Sequence, residues 1–239
     1  MDLWQERPEL QDTASSAAKR DAAYALMNLG GMEEADALLY RTLEEPSLSV
    51  EERASLLEVR ASITFHLGNF PDSLRLFDEV IALLRASDNP KIHRQLMYAL
   101  RFRTQVYWGF CRLREAVRDT EEAMRLASDL GSGRDYAIAQ TYLGVSLTEL
   151  GEYERAEEEL FEAREVLERS DAREHFAASE AMLSGLYTNW PTENAAARAL
   201  RHGHRSLDTT REVGAPVFIC LATIYASWAE STFGAGERA

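Results

Sequence analysis

Histidines, carboxylate runs and thiols are the side chains whose types and spacing could do chemistry in this sequence, and His202-Gly203-His204 comes first. Two imidazoles facing one site can hold a metal or relay a proton. On a helix, residues i and i+2 point about 200° apart, so this pair reads as surface or groove histidines and not as shared ligands. His66, His93 and His175 stand alone in their segments, and EHFAASE (Glu174 to Glu180) lacks the second histidine of a zinc helix. The run Glu157-Glu158-Glu159 suggests paired carboxylates for acid–base work, yet Arg155 and Arg164 lie close by, which marks a solvated helix face. No GxSxG, GxxxxGK[ST] or GxGxxG is present. The expectation is a chain without catalytic residues, metal ligands or cofactors, and thus no enzyme.

Bulk properties restrict the partners. The formal charge of −14 over 239 residues repels phosphate backbones and anionic lipid, so neither nucleic acid nor membrane is an expected partner. The one compact basic stretch is RALRHGHR, Arg198 to Arg205. Cys111 and Cys220 lie far apart without a CxxC, which fits reduced thiols in a cytoplasm. The start MDLWQERPELQD has neither a basic nor an apolar leader region, and no apolar run approaches the roughly 18 residues of a membrane span.

The elements that would position any site are helices. Apolar residues recur at steps of three and four, as in AIAQTYLGVSLTEL (Ala137 to Leu150), and strand alternation is almost absent. Breaks at EEPSLS (44–49), SDNP (87–90), GSG (131–133), Ser170-Asp171 and GAP (214–216) divide the chain into blocks that each hold two helices, except the last. A small residue follows each internal turn at Ala35, Ser73, Ala116, Ala156, Ala196 and Ala239, with separations of 38, 43, 40, 40 and 43. Such a helix pair cannot bury enough surface alone. An anchor contributes about 1.5–3 kcal/mol against about 1–2 kcal/mol for ordering each backbone residue, so the pairs must stack.

The clearest block, YLGVSLTELGEYERAEEELFEA, resembles the tetratricopeptide repeat, with Leu143-Gly144 as its mid-helix pair, Gly151 as its turn and Tyr153, Ala156 and Ala163 as second-helix anchors. The longer period resembles repeats of bacterial regulatory proteins. Cys111 stands at a turn-glycine position, Ser73 replaces an alanine, and TNWPTENAAARAL has no turn glycine. The resemblance implies an all-α, right-handed superhelical solenoid of antiparallel helix pairs. After a lead-in over 1–14, about five and a half repeats would span 15–46, 50–88, 91–131, 134–170, 172–213 and 216–239.

The resemblance also implies a concave groove lined by the first helix of each pair, away from its packing anchors. That ruler selects Arg20, Tyr24 and Met27, then Glu58, Ser62 and Phe65, then Tyr98, Arg101, Gln105 and Trp108. Further along it selects Ile138, Thr141, Val145 and Thr148, then Met182 and Leu186, then Ile224 and Trp228. Aromatic and arginine side chains in a groove anchor peptides. Glu58 departs from that pattern and could pair with a basic ligand group, or with Arg20 or Arg101. The lysine and asparagine pattern of chaperone-tail clamps is missing, since Tyr24, Ser62, Gln105 and Val145 stand at the asparagine position.

The expected function is non-catalytic binding of a protein segment or peptide. The preferred form is the sensing or docking module of a cytoplasmic bacterial signalling protein, with its effector beyond Ala239. The alternatives are a free-standing adaptor complete at 239 residues and an enzyme built on a helical-repeat scaffold. Ile219, Ile224 and Trp228 leave an apolar face on the last helix that further repeats, or a second copy in a homodimer, would cover.

Overall fold

The computed structural model describes residues 14–86, 92–214 and 216–233. Among them the regular structure is wholly α-helical, and it divides into two compact units between Phe110 and Cys111. Residues 1–13 of the expected lead-in over 1–14, the break at 87–90, Ala215 and the expected anchor Ala239 lie outside the described residues.

The first unit holds α1 (Ser16–Asn28), α2 (Met32–Leu43), α3 (Val50–His66), α4 (Phe70–Arg85) and α5 (Ile92–Gly109). Local chemistry sets the helix starts. The Ser15 hydroxyl caps α1, Ser49 and Glu52 form a reciprocal capping box on α3, and Asn69 caps α4 ahead of Pro71. Helix α3 neighbours both α1 and α5, while α2 packs on α1 and α3, and α4 on α3 and α5. Leu39, Ile63, Phe77, Ile81 and Leu100 fill the buried seam. Ser73, the exception among the small anchors, is fully buried and donates its hydroxyl to the Ala61 carbonyl at 2.8 Å. The hydrogen bond offsets the burial of a polar group.

The second unit holds α6 (Leu113–Asp129), α7 (Gly133–Leu150), α8 (Tyr153–Arg169), α9 (Arg173–Asn189), α10 (Ala195–Val213) and α11 (Pro216–Phe233). Here α9 neighbours both α7 and α11, α8 packs on α7 and α9, and α10 on α9 and α11. Ala156, Leu160 and Ala163 of α8 are fully buried, and Tyr153 stacks on Trp190 with ring centroids 5.8 Å apart. Gly144 lets α8 approach α7, because a β-carbon there would stand 2.4 Å from Leu160 Cγ.

The turns explain both irregular blocks. Gly151 closes α7 in the left-handed region at φ 78°, and Cys111 adopts the same conformation at φ 54° despite its side chain. In the fifth block the expected anchor Ala196 is only half-buried, and the fully buried small residue is Ala199. Residues 190–194 separate α9 from α10, whereas 151–152 suffice between α7 and α8. The longer loop, with Asn194 at φ 61°, displaces the anchor by the difference. No helix among the described residues is long and apolar enough to cross a membrane.

Candidate functional site

In the first unit, side chains from α1, α3 and α5 converge on a cavity of about 270 Å³ lined by Tyr24, Glu58, Val59, Ser62, Tyr98, Arg101 and Phe102. Helical spacing puts them there. Tyr24 follows Arg20 by four residues on α1, Ser62 follows Glu58 by four on α3, and Arg101 follows Tyr98 by three on α5. Five of the residues expected in a groove, Tyr24, Glu58, Ser62, Tyr98 and Arg101, therefore line one space.

Arg20 lines an adjoining cavity of about 210 Å³ with Ser16, Ser55 and Gln95. Its guanidinium meets the Ser55 hydroxyl at 3.4 Å and Asp21 at 2.7 Å. Gln95 donates to the same Ser55 hydroxyl at 3.2 Å and also to Glu58, so a polar floor joins the cavities. Gln95, Ser55 and Phe102 were not among the residues expected from the sequence. Continuing the three- and four-residue steps one turn beyond Tyr98 and Glu58 reaches them.

The electrostatics centre on Glu58. Burial pushes its carboxyl up to about 7, and the Gln95 hydrogen bond and the charges of Arg101 and Arg20 only partly oppose that rise. Arg101 is 9% exposed, with its guanidinium 5.1 Å from the Tyr98 ring centroid. Tyr24 is 48% exposed and presents its ring to the opening.

The remaining expected residues fall elsewhere. Phe65 packs on Phe70 at 5.4 Å, at the turn between α3 and α4. Gln105 and Trp108 are half-buried further along the Tyr98–Arg101 face of α5, outside the cavity, and Met27 is half-buried on α1. In the second unit Ile138 is core, packed with Ala163, Leu167 and Phe176. Thr141 and Thr148 are buried, with hydroxyls donating to the Ala137 and Gly144 carbonyls. Val145 and Thr148 do meet Met182, Leu186 and Trp228, but around a recess of only about 10 Å³. The Tyr225 ring lies against Gly185 in that recess, 2.5 Å from where a β-carbon would stand. Ile224 lies outside this recess, 63% exposed on α11.

In the basic stretch Arg198 to Arg205, Arg198, His202, His204 and Arg205 each face a carboxylate, and His202 is not a surface histidine. His202 donates through Nδ1 to Glu180 Oε2 at 2.6 Å, while Arg164 and Arg205 reach Glu180 Oε1 at 2.5 and 3.4 Å. Burial raises the Glu180 carboxyl, but the hydrogen bonds and charges of His202 and Arg164 outweigh it and hold the group below the usual carboxylate range. Arg198 pairs with Glu157 at 2.9 Å, and the Tyr187 hydroxyl donates to the same carboxylate. His204 points to Glu230 at 2.9 Å, away from His202. Among the described residues no group of His, Cys, Asp or Glu could hold a metal ion. The signal for Glu180 was present in the sequence, as the lone charge between Phe176 and Tyr187.

No family model and no curated protein matches the chain. Solved structures similar to it are helical-repeat proteins. A Rap protein complexed with Competence and Sporulation Factor has a TM-score of 0.70 at 13% identity, over 93% of this chain and 72% of that one. A signal transduction ATPase with numerous domains and a tetratricopeptide repeat sensor, from Pyrococcus horikoshii, has a TM-score of 0.69 at 16% identity, over 93% of this chain and 35% of that one. A putative kinesin light chain from Podosopora anserina with nearly identical repeats has a TM-score of 0.60 at 17% identity, over 84% of this chain and 95% of that one. At such identities the likeness carries the fold alone, and the chain has the tetratricopeptide-like helical-repeat fold.

Proposed function

We propose that the chain is a protein- or peptide-binding scaffold whose site is the cavity between α1, α3 and α5. The observation that carries this reading is the convergence of Tyr24, Glu58, Ser62, Tyr98 and Arg101 on one open space. Aromatic rings and a buried arginine beside a polar floor suit an extended segment, since rings supply contact area at low entropic cost and polar groups fix register. The finer form of the reading is a sensing or docking module in a cytoplasmic bacterial signalling protein. Two neighbours favour it: a sensor within a longer ATPase, and a Rap protein complexed with Competence and Sporulation Factor.

The test is retention of fluorescein-labelled random heptapeptide pools, followed by fluorescence polarisation. Tyr24→Ala and Arg101→Ala should each weaken retained peptides by about tenfold or more, while Val145→Ala in the closed recess should leave them unchanged. Equal binding by all these variants, with intact helical circular dichroism, would remove the cavity from the site.

A further inference from the structure

We infer that the second unit carries a separate anion site, a cavity between α6, α7 and α8 that takes a phosphorylated side chain of a partner protein. The cavity holds about 240 Å³, with Arg114, Arg118 and Arg155 around one carboxylate, Glu152, over a floor of Val117, Leu147 and Leu150. It shares no residue with the cavity between α1, α3 and α5, so the two sites stand or fall separately.

Arg114 and Arg118, four residues apart, share one face of α6. Both are exposed, and neither lies within ion-pair distance of a carboxylate among the described residues. The acids nearby are engaged with other arginines. Glu115 meets Arg112 at 2.9 Å, and Arg155 reaches Glu121 at 3.2 Å and Glu152 at 3.5 Å. The repeat itself does not call for arginine at these places. The residues two before and two after the small anchor are Glu33 and Ala37 in the first repeat, Pro71 and Arg75 in the second, and Glu154 and Glu158 in the fourth. Arg75 lies 3.5 Å from Asp72. The third repeat therefore places two guanidiniums with no ion-pair partner among the described residues at one cavity, in a chain whose net charge is −14.

A phosphate group suits that vacancy in charge. It carries about −1.5 to −2 and offers three acceptor oxygens, enough for two guanidinium forks at once. A glutamate side chain brings one charge and two oxygens. The apolar floor of Val117, Leu147 and Leu150 would take the carbon stem below the phosphate. A nucleic-acid backbone or an anionic bilayer fits worse, because each would present many charges to the whole acidic surface. A single phosphorylated residue in a protein segment meets the arginine rim alone.

The experiment uses the whole chain and fluorescein-labelled, amidated heptapeptide pools whose central residue is phosphoserine, serine or glutamate. By fluorescence polarisation the phosphoserine pool should bind about tenfold or more tightly than the serine pool, with the glutamate pool between them. Arg114→Gln combined with Arg118→Gln should erase that preference with helical circular dichroism intact, whereas Arg114→Lys combined with Arg118→Lys should keep part of it. Tyr24→Ala in the other cavity should leave the preference unchanged. Equal binding of the three pools would overturn the inference, as would a preference that survives the double glutamine variant or disappears in Tyr24→Ala. Inorganic phosphate that binds as tightly as the phosphoserine pool would reduce the cavity to an ion site and overturn the protein partner.

Discussion

His202 Nδ1 lies 2.6 Å from Glu180 Oε2, and the glutamate is 0% exposed. The mostly apolar stretch of α9 from Phe176 to Tyr187 thus holds a charged group whose stability depends on partners from α8 and α10. Glu180→Gln leaves the Arg164 and His202 partners short of a negative charge and should destabilise the fold by about 2–4 kcal/mol at neutral pH. The Glu180 carboxyl is held below its usual range, so its contribution is present above that range and lost as pH falls through the folded value. Urea titrations at neutral and acid pH should show the gap between variant and wild type closing in acid. An equal gap at both would contradict this account.

Gly144 makes a second prediction, on packing. A β-carbon there would meet Leu160 Cγ at 2.4 Å and Cδ2 at 2.6 Å, so α7 and α8 must separate or Leu160 must leave its rotamer. Overpacking of this kind costs about 1–3 kcal/mol, against about 1 kcal/mol gained in helix propensity. Gly144→Ala should lower the urea midpoint. A raised midpoint would show that the helix approach is not limiting.

Cys111 carries a third, of opposite sign. It is exposed and sits at φ 54°, where glycine is favoured. Cys111→Gly should stabilise the chain by about 1 kcal/mol, since no packed side chain is lost. The reading is again the urea midpoint, and destabilisation would mean that the thiol has a structural role.

Glu58 gives the fourth, which separates a ligand group from a structural one. Its carboxyl is raised to about 7, so ionisation weakens the folded state as pH climbs from the usual carboxylate range through that value. Glu58→Gln should match wild type near pH 5 and exceed it by about 1–2 kcal/mol near pH 8, after allowance for partial solvation of the site. Lower stability of the variant at pH 8 would place Glu58 in a tight internal ion pair.

The sequence carried the fold further than the site, for a physical reason. Repeat spacing is set by backbone turns and small packing residues, and Gly151, Ala156 and Leu160 announce both directly. Where a turn lengthens, as at Trp190 to Asn194, the ruler slips by the added residues and names Ala196 in place of Ala199. A face of a helix is equally legible, which is why Tyr24, Glu58, Ser62, Tyr98 and Arg101 fall together. Whether that face is open is not, because a neighbour such as Tyr225 can fill it across a glycine far away in sequence. The Glu180 set depends on three helices meeting, and only its lone charge in an apolar run was visible beforehand.

The most direct measurement is photo-crosslinking. A heptapeptide selected against the whole chain, carrying a benzoylphenylalanine, is irradiated in complex and the attachment site is found by mass spectrometry. The account predicts attachment within α1, α3 or α5, around Tyr24, Glu58 and Tyr98, and its loss in Tyr24→Ala. Attachment confined to α6 through α11, unchanged in that variant, would contradict it.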